Sequence, residues 1–498
     1  MHPTFEIPIT LEPGQGREPG QALYRQLREA IAAGRLVRDT KLPATRDAKP
    51  LFGVSRNTLA AVYERLISEG YAVGRHGSGT YVAWTAPAPA PERRPRDEAP
   101  DDARLNPFWL SEPVAAAMNF WRDPQDAADR AVIDMRPGLV DLGLFPFDVF
   151  RSVAGKQLRK MERGTAASRS PQGNRGNFRL REAITAHVSL ARAVACSPDD
   201  VLVTSGAQQA FDLIARVLVT PGRTVVAVED PGYPPMRVPF AAAGAQVVPV
   251  PVDGEGLVVD ALPRSASVIC LCPSHQYPLG VTMSKARREQ LIRFARANGA
   301  TIVEDDYDGE FRWGDTPVDA LRTLDHSDVV IYVGTFSKCM FPSLRLGYLI
   351  APAWASKALV AAKNCMDWHC PVPMQTTVAE FIAQGHLRRH VRKMRAAYHK
   401  RQRLLLDSLR QDFAGVLHPI ESQYGMHLSA TVDDSVDVDA IAAAMQRGGV
   451  NVHTLSRYFL GAPTHRGLVF GYGSVGLAQI RKMLSVMAAA SPRRQRLA

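Results

Sequence analysis

The order of apolar and polar positions divides the chain into a short helical unit and a long alternating one. Between Gly20 and Ala33, Leu23, Leu27, Ala30 and Ile31 recur at helical spacing, and Gly34 follows as a stop. A second, short helix is expected from near Thr45 to near Phe52; Pro50 fits poorly inside it, which predicts a short or kinked element. A third helix starts after Ser55, a good N-cap, and runs to Glu69 with Leu59, Val62, Tyr63, Leu66 and Ile67 on its apolar face. Two short strands, Tyr71–Val73 and Thr80–Ala83, bracket the glycine-rich segment from Gly74 to Gly79. Three helices and a glycine-tipped hairpin make a winged helix-turn-helix.

The pattern changes after Ala83. Alternating prolines followed by mixed charges, up to Asp102, predict an extended, solvated strap. The expected organisation is a winged unit over 1–83, a linker and connecting segment over 84–130, and a large unit over 131–498. In the large unit, strand-like Val201–Thr204, Thr224–Val228, Val268–Cys272, Thr301–Glu304 and Val329–Val333 alternate with helical segments. This is an α/β pattern with a mainly parallel sheet, whose ligands gather at the C-terminal strand ends.

Composition narrows the classes. Of the 498 residues 46% are hydrophobic and 22% charged, which is globular. The net charge of +11 permits a polyanionic partner. Residues 1–83 carry eleven basic and eight acidic side chains, so DNA binding there has to come from local clustering and dimerisation. The six cysteines form no Cys-x-x-Cys pair, and Cys365, His369 and Cys370 lack zinc spacing, so no metal site is expected. No signal peptide or membrane-spanning run is apparent, and the protein is expected to be reduced, soluble and cytoplasmic.

Two sets of residues carry chemistry. If the third helix enters a major groove, its first turn presents Ser55, Arg56, Asn57 and Thr58. Arginine reads guanine and asparagine reads adenine, while the hydroxyls and the helix N-terminus suit phosphate. Arg75 and His76, beside Gly77 on the hairpin, can reach the backbone or the minor groove. The second set lies at strand ends. Lys338, in Gly334-Thr335-Phe336-Ser337-Lys338, can form a Schiff base with an aldehyde cofactor. Thr335, Ser337, Arg345 and the helix start Ser205-Gly206-Ala207-Gln208 suit a phosphate. An acid in Glu304-Asp305-Asp306-Tyr307-Asp308 can pair with a protonated pyridine nitrogen. Tyr307 can donate to a ring hydroxyl, and Tyr233 can stack.

These phrases resemble known families. Tyr24-Arg25-Gln26-Leu27-Arg28-Glu29-Ala30-Ile31, Leu42-Pro43-Ala44-Thr45-Arg46, Gly53-Val54-Ser55-Arg56-Asn57-Thr58 and Gly77-Ser78-Gly79-Thr80-Tyr81-Val82 resemble the GntR family of bacterial regulators. That resemblance implies contacts to double-stranded DNA from Arg46, Arg56, Thr58 and the wing. Glu229-Asp230-Pro231-Gly232-Tyr233, Pro273 through Pro278, Glu304 through Phe311 and Leu344-Arg345-Leu346-Gly347-Tyr348 resemble fold-type I aminotransferases. The fusion looks like the MocR/GabR subfamily. It implies an aminotransferase-like domain with a smaller C-terminal α+β subdomain, and pyridoxal 5'-phosphate on Lys338. In that arrangement Asp305 faces the pyridine nitrogen, Tyr307 the ring hydroxyl and Tyr233 the ring face. Ala207, Gln208, Thr335, Ser337 and Arg345 hold the phosphate, and the assembly is a homodimer.

Two positions depart from working aminotransferases. Their Asn-Pro-Thr-Gly reads Tyr277-Pro278-Leu279-Gly280 here, a loss shared by MocR-type chains. Their carboxylate-clamping arginine falls at Val469, with Arg466 out of step. The expectation is therefore a regulator whose signal is pyridoxal phosphate itself, or an amino acid or amine effector. The alternatives are a true aminotransferase that also binds DNA, and a DNA-binding protein with a cofactor-free dimerisation scaffold.

Overall fold

The computed structural model describes residues 19–84, 104–120, 133–164, 173–313 and 319–490. The chain divides into two compact units, Met1–Arg104 and Leu105–Ala498. The bulk of the expected strap, 85–103, lies outside the described residues.

In the first unit the helices are Pro19–Ala32, Ala48–Phe52 and Arg56–Ser68, and strands Ala72–Arg75 and Gly79–Val82 pair antiparallel. Leu23, Leu27, Leu59, Leu66 and Val82 are fully buried at its centre. The expected second helix is divided: a 3-10 turn, Thr45–Asp47, precedes the short helix. Pro50 sits in that helix's first turn, where its missing N–H costs nothing. Ile67, placed on the apolar face from its spacing, is 39% exposed. It falls at the rim of the stripe, next to Gly74 of the hairpin.

The second unit is built on an eight-stranded sheet. Its spatial order is Val201–Thr204, Gly347–Ile350, Val330–Thr335, Thr301–Asp306, Ala266–Leu271, Val225–Asp230, Gln246–Asp253 and Gly256–Leu257. Neighbours from Val330–Thr335 to Gln246–Asp253 run parallel, and Gly347–Ile350 is antiparallel to both of its neighbours. The strands are near-continuous apolar runs because helices cover both faces. The 27-residue helix His386–Asp412 leads to a smaller α+β subdomain. There His418–Pro419, His427–Thr431, Gly467–Gly471 and His453–Thr454 form an antiparallel sheet, accompanied by helices Val438–Arg447 and Leu477–Ala490.

The expected connecting segment is not uniform. A turn at Pro107–Leu110 and a helix at Glu112–Asn119 belong to the second unit, where the helix packs on Pro234–Ala242. Ile133–Asp134 pairs in parallel with Val450–Asn451, so this early strand belongs with the smaller subdomain.

Ser55 caps the third helix of the first unit by accepting the amide of Thr58 at 3.1 Å. Ser55→Ala should cost about 1 kcal/mol locally. The expected outcome is about fivefold faster hydrogen exchange of the amides from Thr58 to Tyr63, measured by native-state exchange.

Candidate functional sites

In the first unit the third helix begins its buried stripe only at Leu59, so Arg56 and Asn57 project from its first turn into solvent. Ser55 and Thr58 are engaged with each other, their hydroxyls 2.8 Å apart. Arg46 extends from the 3-10 turn with 84% of its side chain exposed, 3.8 Å from the Asp47 carboxylate. Such a loose surface pair leaves the guanidinium available to phosphate. Arg75, expected to reach the backbone or the minor groove, has partners within the unit. It is bonded to Asp39 and lies 4.5 Å over the Tyr81 ring. His76 and Gly77 form the exposed hairpin tip, where Gly77 takes a φ of +71°. Lys41 was not anticipated. It bridges to Tyr81 and places its ammonium 5.8 Å from the Tyr81 ring, beside the hairpin.

In the second unit the pleat sorts three acids at the end of Thr301–Asp306. Glu304 accepts the amides of Leu321 and Arg322, at 2.7 and 2.9 Å. Asp306 accepts from Arg192 and Tyr332, both at 2.6 Å. Asp305, between them, faces the other side. Cys272 Sγ lies 3.8 Å from its Oδ2, and its buried Oδ1 has no hydrogen-bond partner among the described residues. Burial, then Asp306 and Asp308, push this carboxyl up to about 8, against the pull of Lys338.

Lys338 follows the strand Val330–Thr335, and its Nζ donates to the Gly138 carbonyl at 2.7 Å. Burial lowers its pKa to about 8, although Asp308 and Asp305 draw it upward. A substantial fraction is therefore neutral amine near physiological pH, the form that attacks a carbonyl.

The phosphate candidates gather at the neighbouring strand ends. Gly206 (φ +82°) opens the helix Ala207–Leu218. Arg345 donates to Ser205 O at 2.9 Å, and its guanidinium lies 3.3 Å from where a Gly206 Cβ would stand. A side chain at 206 would fill that space. Thr335 donates to Ser337 Oγ at 3.0 Å and accepts the Ser337 amide at 3.1 Å. Thr335 pairs with Gly347, where an added Cβ would stand 3.0 Å from the Gly206 backbone. Gln208 is only partly as expected: its side chain is turned to Pro235 O at 3.0 Å, leaving its backbone amide for the cradle.

The aromatic residues also differ in detail. Tyr233 meets Tyr277 edge-on at 5.4 Å. The Tyr307 hydroxyl does not stand free: it lies 2.9 Å from His275 Nδ1 and donates to His275 O at 3.0 Å. His275 is in turn oriented by Asp308, 2.9 Å away, and burial holds its pKa down to about 3. His427 lies tilted at 39° against His275 with ring centroids 4.4 Å apart, and Pro278 O lies 2.9 Å from its Nε2. His275, Asp308 and His427 hold metal-capable atoms within 4.8 Å of one another. His275 Nε2 and His427 Nδ1 are buried without a hydrogen-bond partner among the described residues, and Asp308 orients His275 through Nδ1. Sequence reading quoted His275 and Asp308 inside matching phrases without assigning either a role, and it missed His427, Tyr458 and Phe120 entirely. Only the folded chain brings these together.

Val469 is buried in the strand Gly467–Gly471, between Ser429 and His453. Arg466 is exposed and donates to Asp434 O at 3.4 Å, away from that strand face. Buried cations near the strand include Arg136, paired with Asp134 through two nitrogens, and Arg401, which donates to Gly473 O at 2.7 Å.

A pyridoxal phosphate group fits these residues. The unpartnered Asp305 Oδ1 is an acceptor awaiting a buried donor, and the Gly206–Arg345 cradle is an anion site that a Cβ would close. A separate cleft of about 1420 Å³ lies elsewhere, lined by Lys160, Arg179, Arg388, Arg392 and Arg395 among others, and contains none of this set.

Comparison with known proteins agrees with both units. Residues 19–82 match the family model of bacterial regulatory proteins of the gntR family, and 142–465 match aminotransferase class I and II. The probable rhizopine catabolism regulatory protein MocR of Rhizobium meliloti is 34% identical, over 94% of this chain and 92% of that protein. The pyridoxine biosynthesis transcriptional regulator PdxR of Corynebacterium glutamicum is 30% identical, over 94% of this chain and 95% of that one. The kynurenine aminotransferase of Pyrococcus horikoshii superposes with a TM-score of 0.67 at 25% identity, covering 75% of this chain and 93% of that structure. An archaeal alanine:glyoxylate aminotransferase, at 23% identity and TM-score 0.69, shares the fold over 78% of this chain and all of its own.

Two outcomes follow from the site. Cofactor-free protein mixed with pyridoxal phosphate should take it up about tenfold faster per pH unit below about 8, levelling above it, as neutral Lys338 accumulates. Stopped-flow absorbance reads this, and a flat profile would contradict it. Gly425→Ala would place a Cβ 1.9 Å from His275 Cε1, at a φ of +87°. It should displace His275 and Tyr307 and weaken pyridoxal phosphate binding by about tenfold or more in an absorbance titration.

Proposed function

From the premise that this chain belongs to the MocR-type GntR regulators, and is a regulator rather than an enzyme, we propose that pyridoxal phosphate on Lys338 is its sensing element. The observation that carries the reading is a buried, unsatisfied Asp305 oxygen and a lysine whose pKa burial lowers to about 8, at adjoining strand ends. Loaded on that lysine, the cofactor supplies an electron-withdrawing ring and a carbonyl equivalent that amines exchange with. Asp305 would hold the ring nitrogen, Tyr233 the ring face, and Ala207, Gln208, Thr335, Ser337 and Arg345 the phosphate. Tyr307, fixed by His275, would meet the ring hydroxyl. The regulated genes concern vitamin B6 or amino-acid and amine metabolism. The double-stranded DNA is read by Arg46, Arg56, Asn57 and Thr58, with His76 and Gly77 at the wing, in a cytoplasmic homodimer.

Val469 favours sensing over turnover. Bidentate carboxylate pairing by arginine supplies both affinity and orientation to an amino-acid substrate, and a buried valine supplies neither. The effector is then pyridoxal phosphate itself, or an amine that needs no carboxylate clamp. Among the described residues no helix is long and apolar enough to cross a membrane.

A DNA-shift titration with and without pyridoxal phosphate tests the reading. Wild-type affinity should change by about fivefold or more, the usual scale of coupling between two sites. Lys338→Ala should bind DNA equally well in both conditions. Unchanged wild-type affinity would sink the sensor reading. Multiple turnovers with a panel of amino acids would instead favour an aminotransferase that binds DNA.

A further inference from the structure

Phe120 ends the helix Glu112–Asn119, the first helix described after the strap, and its ring is buried inside the second unit. Four rings surround it edge-on: Tyr458 and His453 at 5.5 Å, Tyr233 at 5.8 Å and Tyr277 at 6.5 Å. Tyr277 continues the contact inward, to His427 at 5.2 Å and Tyr307 at 5.6 Å. An unbroken aromatic path therefore runs from Phe120 to the residues that surround Lys338. Two members of the path, Tyr233 and Tyr277, stand where the ring face and the missing asparagine are expected.

The helix that carries Phe120 is otherwise weakly held. Val114 is its one buried side chain, while Met118 on the helix and Trp109 and Leu110 just before it are exposed. An element anchored by so few buried groups opens at low cost compared with the sheet around it. Its position in the chain matters as much. In the chain it lies between the winged unit and the sheet of the second unit.

We propose that Phe120 is an internal plug that sets the size of amine reaching the cofactor lysine, and that its displacement is what changes DNA binding. The proposal rests on the reading of Lys338 as the cofactor lysine. With Phe120 seated, the aromatic box is closed and only a small amine substituent fits beside Tyr277. A larger substituent has to push the ring out, and with it the helix. Recognition is apolar, because the burial-depressed His275, His427 and His453 carry no charge at neutral pH.

The test uses the full-length protein loaded with pyridoxal phosphate, with methylamine and 2-phenylethylamine as probes. Change in cofactor absorbance reads access, and a DNA-shift titration reads the signal. Wild type should respond to methylamine at concentrations at least about tenfold below those needed for 2-phenylethylamine. Phe120→Ala and the milder Phe120→Leu should bring 2-phenylethylamine to parity, because a ring-sized space has opened. Phe120→Trp should suppress both amines. In Phe120→Ala the dependence of DNA affinity on 2-phenylethylamine should disappear while cofactor-loaded DNA binding persists. If Leu, Ala and Trp variants all select amines as wild type does, Phe120 is no plug. If wild type takes up no pyridoxal phosphate at all, it is the reading of Lys338 that fails. The loaded absorbance band, scored before any amine is added, separates the two.

Discussion

The site in the second unit depends on two ionisable groups held out of water at one edge of the sheet. Asp305 and Lys338 lie at the ends of adjoining parallel strands, whose register sets Val333 beside Asp305. Burial moves both toward neutrality, the acid upward and the amine downward, each to about 8. The acid is not fully satisfied among the described residues, where Asp305 Oδ1 has no hydrogen-bond partner. An aromatic aldehyde with a basic ring nitrogen answers both: it reacts with the neutral amine and brings a donor to the acid. Much of the surrounding architecture serves to keep water away from this pair while leaving an anion cradle open at Gly206 and Arg345.

The fold was largely legible because each unit repeats a strong local signal. Leu23, Leu27, Ala30 and Ile31 repeat at helical spacing, and Val201–Thr204 and its successors are apolar runs that only a covered sheet can use. Boundaries moved where two local forces competed. Pro50 is tolerated in a first turn and forbidden further in, so one expected helix became a 3-10 turn and a short helix. The residues at the strand ends were legible for the same reason: Lys338, Asp305 and Arg345 stand at positions where backbone direction alone brings them together.

What escaped sequence reading depends on contacts between distant segments. Phe120 and Tyr458 are far apart in the chain and carry no motif, yet their rings meet at 5.5 Å. His427 reaches the site only because the sheet containing Gly467–Gly471 is laid beside the Tyr277–Pro278 turn, whose carbonyl accepts both His427 and Ser429. The partner of Arg75, Asp39, was not legible because it lies on a separate loop. Spacing reports what a residue offers, and only tertiary structure reports what has already consumed it.

The substitutions near the cofactor lysine belong together. In an aminotransferase-like site an arginine and an asparagine would meet a substrate carboxylate and the ring. By the resemblance Val469 and Tyr277 stand at those two positions, and Tyr277 meets Phe120, Tyr233 and Tyr458 edge-on. Losing the cation removes the group that would orient a substrate for turnover, and gaining aromatic rings creates a surface that responds to size. Such a pocket discriminates weakly for catalysis, since apolar contacts distinguish neighbours by only a few kcal/mol. That same scale is enough to shift a conformational equilibrium about a hundredfold. On the proposed reading, an aromatic plug in place of a carboxylate clamp gives up orientation, which an enzyme needs, and keeps occupancy, which a regulator can read.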